Sequence, residues 1–116
     1  MDNIQRFGVN PRYSKAVIHG GTVYLAGQVA ADPVPSVTEQ TKQILAQIDH
    51  YLAEAGTDKS RLLSAFVMFK DLRDFDAVNK VWDAWVVPGS TPCRTPLETR
   101  LYAPEFLVAI QVTAAL

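Results

Sequence analysis

Cysteine is almost absent from this chain of 116 residues, which has only Cys93. A single thiol excludes an internal disulfide framework and is typical of a reducing compartment. Charge of one sign is lacking too, since 11 basic residues balance 12 acidic ones, which argues against nucleic acid or an anionic membrane as the main partner. No apolar run approaches the roughly 20 residues of a membrane span, and the first residues lack signal-peptide order. The sequence thus predicts a cytoplasmic protein.

Motifs for metals, phosphates and nucleophiles are lacking as well. His19 and His50 stand far apart in the sequence, with no cysteine or acidic companion at ligand spacing. No phosphate loop, dinucleotide fingerprint or Gly-x-Ser-x-Gly motif occurs. Cys93 has no activating group in its local sequence, so we interpret it as a small buried residue. The residues therefore offer no metal-ligand set and no nucleotide-binding motif.

The first half of the chain reads as a hairpin followed by a helix. Two β runs between Ser14 and Val29 meet at Gly20-Gly21, which is a hairpin signal. Ser36 to Glu39 has capping-box spacing before a periodic apolar stripe, and Gly56 can end that helix. The polar face of the helix, which includes Gln43 and His50, is predicted to be solvated.

The second half continues with alternating strands and a helix. Leu62–Phe69 is apolar on both faces, as in a central strand. Asp74 is a cap candidate for a helix that Pro88-Gly89 stop. Strands are predicted at Arg94–Tyr102 and Phe106–Leu116, and a short strand near Ile4 to Phe7 is a further candidate. The order β-β-α-β-α-β-β predicts one α+β domain over residues 1–116.

This order has a consequence for assembly. Two helices can cover only one face of the predicted mixed sheet, yet its central and C-terminal strands are apolar on both faces. The uncovered face would expose more than the few hundred Å² that are usual for a monomer. We therefore expect an oligomer whose bare sheet faces pack together, with functional sites between subunits.

Arg94 is the most informative single residue, because it stands between Pro92 and Pro96. Proline donates no backbone N–H and fits badly in a central strand, so Arg94 is predicted at the lip of the sheet. A guanidinium can hold a carboxylate through two parallel hydrogen bonds, which lysine cannot do. From the residues alone, an anion-binding role and a structural ion pair with Glu98 are equally supported.

Four segments together resemble a known family. RYSKAVIHGGTVYLAGQV, DFDAVNKVWDAWV, PCRTPLE and FLVAIQVTAAL occur in the order found in the Rid (YjgF, reactive intermediate deaminase) family, and the resemblance covers residues 11–116. It looks closest to a short subgroup whose second helix reads NKxWDAWV. The resemblance implies a chorismate-mutase-like protomer and a homotrimer with three clefts between subunits. It also implies cofactor-free hydrolysis of enamines and 2-imino acids, such as 2-aminoacrylate, to 2-keto acids and ammonia.

The resemblance also implies roles for single residues. Arg94 matches the arginine that holds the substrate carboxylate, Tyr13 a tyrosine that lines the cleft, and Asn79 the asparagine of the second helix. Gly27 and Gln28 match the Gly-Gln pair on the second hairpin strand, where Gly27 also indicates a bulge or a close backbone approach. From the residues alone, Tyr13 could instead be a packed aromatic with a solvent-exposed hydroxyl, and Asn79 a polar residue on the helix surface.

Three positions depart from the family pattern. Ala109 stands where many members carry a glutamate that positions or polarises the attacking water, and Pro96 stands where a backbone N–H normally meets the ligand. Ala26 replaces a frequent serine. Losing general acid–base help costs about 10²–10⁴-fold in rate. The rim of the cleft is predicted from strand alternation to include Phe7, Leu97 and Tyr102 beside Tyr13.

Two functional hypotheses remain open from the sequence. The first is an enamine/imine deaminase that takes a small imino acid and anchors its carboxylate on Arg94. The second is a non-catalytic trimeric protein of the same fold that binds small carboxylates, which Ala109 and Pro96 favour. RNA cleavage or translation inhibition is disfavoured, because basic residues and aromatics are not interleaved in a patch.

Overall fold

The computed structural model describes residues 3–116, which form six β-strands and two α-helices. The predicted element order is confirmed, and the candidate strand near the N-terminus is present as β1. Single turns of 3-10 helix at Lys59–Arg61 and Leu72–Asp74 precede β4 and α2. The elements are β1 (Gln5–Phe7), β2 (Ala16–His19), β3 (Thr22–Leu25), α1 (Val37–Ala55), β4 (Leu62–Phe69), α2 (Phe75–Trp85), β5 (Cys93–Glu98) and β6 (Val108–Ala115).

All six strands form one mixed sheet in the order β1-β2-β3-β6-β4-β5. Only β4 and β5 run parallel, and the other described pairs are antiparallel. β5 is therefore an edge strand. The Thr99 N–H donates to the Phe69 carbonyl of β4 at 2.9 Å, so alternation along the strand turns the nitrogen of Pro96 toward the free edge. Pro96 thus removes no hydrogen bond from the sheet.

One face of the sheet is covered by the helices and carries the core. We call it the helix face. A fully buried Val, Leu or Ile contributes about 1.5–3 kcal/mol, so this layer holds the sheet and the helices together. Its buried residues include Ala16, Ile18, Val23, Leu25, Ala65, Val67, Phe69, Val108, Ile110, Val112 and Ala114 from the strands, and Ile44, Leu45, Ile48, Leu52, Val78 and Trp82 from the helices.

The opposite face has no helix among the described residues, and we call it the bare face. Tyr24 and Phe66 are 47% and 46% exposed there. The expected uncovered face is therefore confirmed. The prediction that β6 is apolar on both faces is wrong, because alternation with the buried Val112 turns Gln111 and Thr113 toward the bare face.

The ends of the helices follow local sequence signals with one exception. Ser36 Oγ accepts from the Glu39 N–H at 3.2 Å, and Gly56, with φ 92°, ends α1. Asp74 makes no side-chain cap bond, so that prediction is wrong. The N–H of Phe75, the first residue of α2, already donates to the Leu72 carbonyl in the preceding 3-10 turn. Asp71 caps that turn by accepting from the Arg73 N–H. No helix within residues 3–116 has the length and hydropathy needed to cross a bilayer.

Candidate functional site

Arg94 projects from the helix face of β5 onto one stripe of α2. Its guanidinium carbon lies 5.2 Å from the ring centroid of Trp82 and 5.8 Å from that of Phe75. Arg94 Nη2 donates to Asn79 Oδ1 at 2.5 Å. Phe75, Asn79 and Trp82 are spaced four and three apart, so they share one side of the helix. The structure thus brings Arg94 and Asn79 together and gives the arginine two aromatic supports.

Among residues 3–116, no acidic side chain neutralises the charge of Arg94. Burial lowers the pKa of Arg94 and the charge of Asp83 acts against that effect, but a guanidinium remains protonated at neutral pH. No carboxylate of residues 3–116 forms an ion pair with it within 4 Å. The alternative ion pair with Glu98 is wrong, because Glu98 lies roughly 13 Å further along the strand and accepts from the Leu72 N–H at 2.9 Å.

The Gly27-Gln28 pair lies where β3 is interrupted. β3 ends at Leu25, and Gln28 rejoins the sheet through two backbone bonds to Ile110 of 2.8 and 3.0 Å. The interruption expected at Gly27 is confirmed. Gln111 Nε2 donates to the Leu25 carbonyl at 3.0 Å, which supplies a bond that the broken ladder lacks. Ala26 and Gly27, which lie between the end of β3 and Gln28, line one side of a cavity.

Tyr13, Gly27 and Gln28 line a cavity of about 290 Å³, which we call the Tyr13 cavity. A second cavity of about 480 Å³ adjoins it, because Tyr13, Ala26, Gly27 and Val29 line both. Tyr102 completes the second cavity. The remaining residues around the Tyr13 cavity are Lys15, Ala26, Val29, Ala31, Gln47 and Tyr51.

The other two predicted rim residues lie elsewhere. Phe7 packs against the hydrophobic core. Leu97 is paired with Met68 on the bare face, because it alternates with Arg94 and Pro96 along β5. The loop after β5, which carries Tyr102, also borders a separate cavity of about 600 Å³ that includes Glu98.

Glutamines of α1 hold the wall of the Tyr13 cavity in place, and sequence reasoning missed them. Gln47 Nε2 donates to Gln28 Oε1 and to the Val29 carbonyl, both at 3.0 Å, and Gln47 Oε1 accepts from the Ala31 N–H at 3.1 Å. Gln43 bonds both backbone groups of Asp32, at 2.9 and 2.7 Å. Gln43 lies at the surface, as predicted, but its amide also binds the loop that returns along this side of α1.

Gln40 joins the two chain segments that flank these cavities. It is fully buried, and its Nε2 donates to the carbonyls of Val34 at 2.8 Å and Glu105 at 3.0 Å. Its Oε1 accepts from the Leu107 N–H at 3.0 Å. The spacing of Gln40, Gln43 and Gln47 along one side of the helix is the signal that could have revealed this set.

Arg94 and the Tyr13 cavity lie apart within one chain. Gln28 pairs with Ile110, Ile110 with Val67, and Val67 with Pro96. This row spans three strand spacings, roughly 14 Å. One copy of the chain therefore does not bring all the predicted site residues into one cleft.

Ala109 and Pro96 bring no acid, base or donor to the site. Ala109 is 6% exposed on β6, where it pairs with Met68 and directly precedes Ile110, the partner of Gln28. Its methyl group can neither position nor polarise a water molecule. Pro96 faces the free edge of β5 with a nitrogen that has no hydrogen.

Cys93, His19 and His50 do not form a reactive cluster. Cys93 is exposed at the start of β5, so its interpretation as a buried residue is wrong; an edge strand leaves its first side chain uncovered. His19 ends β2. His50 is solvated as predicted and lies 3.5 Å from Glu54. Residues 3–116 contain no group of three or more His, Cys, Asp or Glu side chains that could hold a metal ion.

The geometry defines a small α+β protein of chorismate-mutase-like fold with an arginine at its sheet edge. The family described as Endoribonuclease L-PSP matches residues 3–116, and the chain belongs to that family. A RutC family protein from Haemophilus ducreyi is 42% identical over 113 residues, which is 97% of either chain. A crystal structure of a YjgF family protein from Neisseria meningitidis superposes with a TM-score of 0.95 at 45% identity, covering 97% of this chain and 94% of that one.

A further relative carries an activity in its name. The 2-iminobutanoate/2-iminopropanoate deaminase of Capra hircus is 41% identical over 88 residues, which cover 71% of this chain and 64% of that protein. The comparisons confirm the resemblance to the Rid family and the predicted fold.

Proposed function

We propose that the protein hydrolyses 2-imino acids and their enamine tautomers, such as 2-aminoacrylate, to 2-keto acids and ammonia. The observation that carries this proposal is the environment of the Arg94 guanidinium. Its half-buried guanidinium is held by Asn79 and two aromatic rings, and no carboxylate of residues 3–116 pairs with it. Such a group is suited to an incoming carboxylate. The deaminase activity named for the goat relative supports the same chemistry.

Each residue has a defined task in this reaction. Arg94 holds the substrate carboxylate through two parallel N–H···O bonds, which fixes the adjacent C=N carbon. Water adds to that carbon, the nitrogen takes up a proton, and the C–N bond breaks to release ammonia as the carbonyl forms. Tyr13 can hold the water, since a phenol both donates and accepts. Positioning supplies the acceleration, because position 109 has no carboxylate.

We propose further that two protomers of a homotrimer complete each site. One supplies Arg94 and Asn79, and its neighbour supplies Tyr13, Gly27 and Gln28. The roughly 14 Å between the two groups within a chain and the exposed aromatics of the bare face support this arrangement. Light scattering should give the mass of three 12.8 kDa chains. A monomer with full activity would contradict it.

The function is tested by a coupled assay. An amino-acid oxidase generates 2-imino acids, and semicarbazide traps whatever imine remains. We expect the wild-type protein to reduce the trapped product, and Arg94→Ala to lose roughly 100-fold or more in that rate, the value of two charge-assisted hydrogen bonds. The rate of Arg94→Lys should lie between those of wild-type protein and Arg94→Ala, because lysine keeps the positive charge but cannot form two parallel hydrogen bonds.

Arg73→Ala is the matched control, because Arg73 is exposed and pairs only with Asp71 at 3.4 Å among the described residues. It should retain the wild-type rate. Equal rates for wild-type protein and Arg94→Ala would refute the proposed role of Arg94.

A second function is favoured by Ala109 and Pro96. A site with no water-activating acid and one donor fewer could bind small carboxylates without turning over imines. Calorimetry with 2-keto acids would then detect Arg94-dependent binding while imine decay stays unchanged. A gain of turnover in Ala109→Glu, from no activity in the wild type, would support this reading over the deaminase.

A further inference from the structure

The Tyr13 cavity offers hydrogen-bond donors and a positive charge. The amides of Gln28 and Gln47 already have hydrogen-bond partners, since they bond each other and the backbone of the surrounding loop. The polar groups left are the ammonium of Lys15 and the phenols of Tyr13 and Tyr51. None of the described residues that line the cavity is an aspartate or a glutamate. This combination is suited to an anionic group.

Lys15 is directed into the cavity by its surroundings. Gly8 has φ 58°, and a Cβ added to it would lie 2.9 Å from both Cγ and Cδ of Lys15, so the lysine stem lies closely over the glycine. The backbone is fixed on both sides, because the Lys15 N–H donates to the Phe7 carbonyl at 2.9 Å and the Lys15 carbonyl accepts from the Ala26 N–H at 3.0 Å. Nζ lies 5.7 Å from the ring centroid of Tyr51.

Among the described residues, Lys15 has no acidic side chain close enough to neutralise its charge. No carboxylate of residues 3–116 forms an ion pair with it within 4 Å. Glu54 attracts it from a greater distance, but the carboxylate of Glu54 lies 3.5 Å from His50. A side-chain hydrogen bond with Tyr51 raises the pKa of Lys15, so the ammonium stays charged at neutral pH.

We propose that Lys15 binds a second anionic group of the substrate, so that the protein prefers 2-imino acids with a carboxylate in the side chain. This inference rests on the proposed function, in which Arg94 takes the first carboxylate. Four- and five-carbon dicarboxylic imino acids are the compounds of this class. Between the two cations, such a substrate is held at both ends and its C=N carbon lies in the cleft between them.

The experiment compares two imino acids in the trapping assay. One is made by an oxidase that acts on aspartate or glutamate, and the other is 2-iminopropanoate made from alanine. We expect kcat/KM to favour the dicarboxylic substrate by roughly tenfold, the value of one exposed charge-assisted bond. Lys15→Gln should lower that ratio by roughly tenfold, whereas Lys15→Arg should keep it. Lys42→Gln, which removes an exposed lysine that does not line the Tyr13 cavity, should leave the ratio unchanged.

A second readout separates this inference from the proposed function. Calorimetry measures the binding of oxaloacetate, 2-oxoglutarate and pyruvate to the same proteins. A Lys15-dependent preference for the two diacids without turnover of any imine would overturn the deaminase and keep the inference. Turnover with an equal ratio in wild-type protein and Lys15→Gln would overturn the inference and keep the deaminase. A protein that neither turns over imines nor distinguishes diacids from pyruvate would overturn both.

Discussion

Replacing Gln40 by leucine tests whether one buried amide holds the two segments beside the site. The side chain of Gln40 has no exposed surface and makes three hydrogen bonds of 2.8 to 3.0 Å, to Val34, Glu105 and Leu107. Leucine has nearly the same length and fills most of the same space. The substitution therefore removes the hydrogen bonds without opening a large cavity.

The expected loss follows from the groups that are left behind. A net hydrogen bond contributes about 1 kcal/mol, and a buried group left unpaired costs about 1–3 kcal/mol. Part of this is offset by the better burial of an apolar side chain. We expect the free energy of unfolding to fall by about 3 kcal/mol. For a chain of this length the unfolding entropy is about 0.24 kcal/mol/K, which corresponds to a fall in Tm of about 12 °C.

The measurement is urea unfolding followed by circular dichroism, at several protein concentrations because assembly contributes to stability. Gln43→Leu is the matched control. It removes the same chemical group from the same helix, but its bonds to Asp32 are exposed to solvent, so water replaces them and the loss should stay below about 1 kcal/mol. Equal losses in the two variants would refute the reasoning.

Two other predictions follow from local contacts. Gly8→Ala should lower stability by about 1–3 kcal/mol, because φ is 58° and the new Cβ would meet the stem of Lys15. Gly20→Ala, at φ 61° in open space, should lower stability less in the same urea experiment. A larger loss in Gly20→Ala would contradict the contact between Gly8 and Lys15. Hydrogen bonds from Ser60 lower the pKa of Asp58, so its stabilisation is present above the ordinary aspartate range and is lost as the pH falls. The stability difference between wild-type protein and Asp58→Asn should therefore shrink below about pH 4, and a difference that stays constant down to pH 3 would argue against it.

The sequence predicts best those elements whose ends are set by interactions between residues close together in the chain. α1 begins after Ser36 and ends before Gly56 because both caps act on neighbouring backbone groups. β4 has the predicted limits, Leu62–Phe69. β5 was predicted to reach Tyr102 but ends at Glu98. Lys70 Nζ donates to the Pro104 carbonyl at 2.8 Å and so fixes the following segment as a loop, a contact that no local pattern reveals.

The candidate site likewise combines features that are visible in the local sequence with contacts that depend on the tertiary fold. Helical spacing places Phe75, Asn79 and Trp82 on one side of α2, but the contact of Arg94 with this side depends on the parallel pairing of β4 with β5. Gln40 bonds residues 65 and 67 positions away. Such pairings arise only when the sheet order is fixed, because a polar side chain gives no sign of which distant carbonyl it will meet.

The free edge of β5 has a consequence for solubility. An open strand edge is a template on which another chain can add its backbone, which is a route to fibrils. Halfway along this six-residue strand, Pro96 presents no N–H on the open side, so an incoming strand would meet a gap in its hydrogen bonding. Pro96 therefore disfavours the addition of a further strand at this edge. A strand edge interrupted in this way can stay open without becoming a template for further copies of the chain.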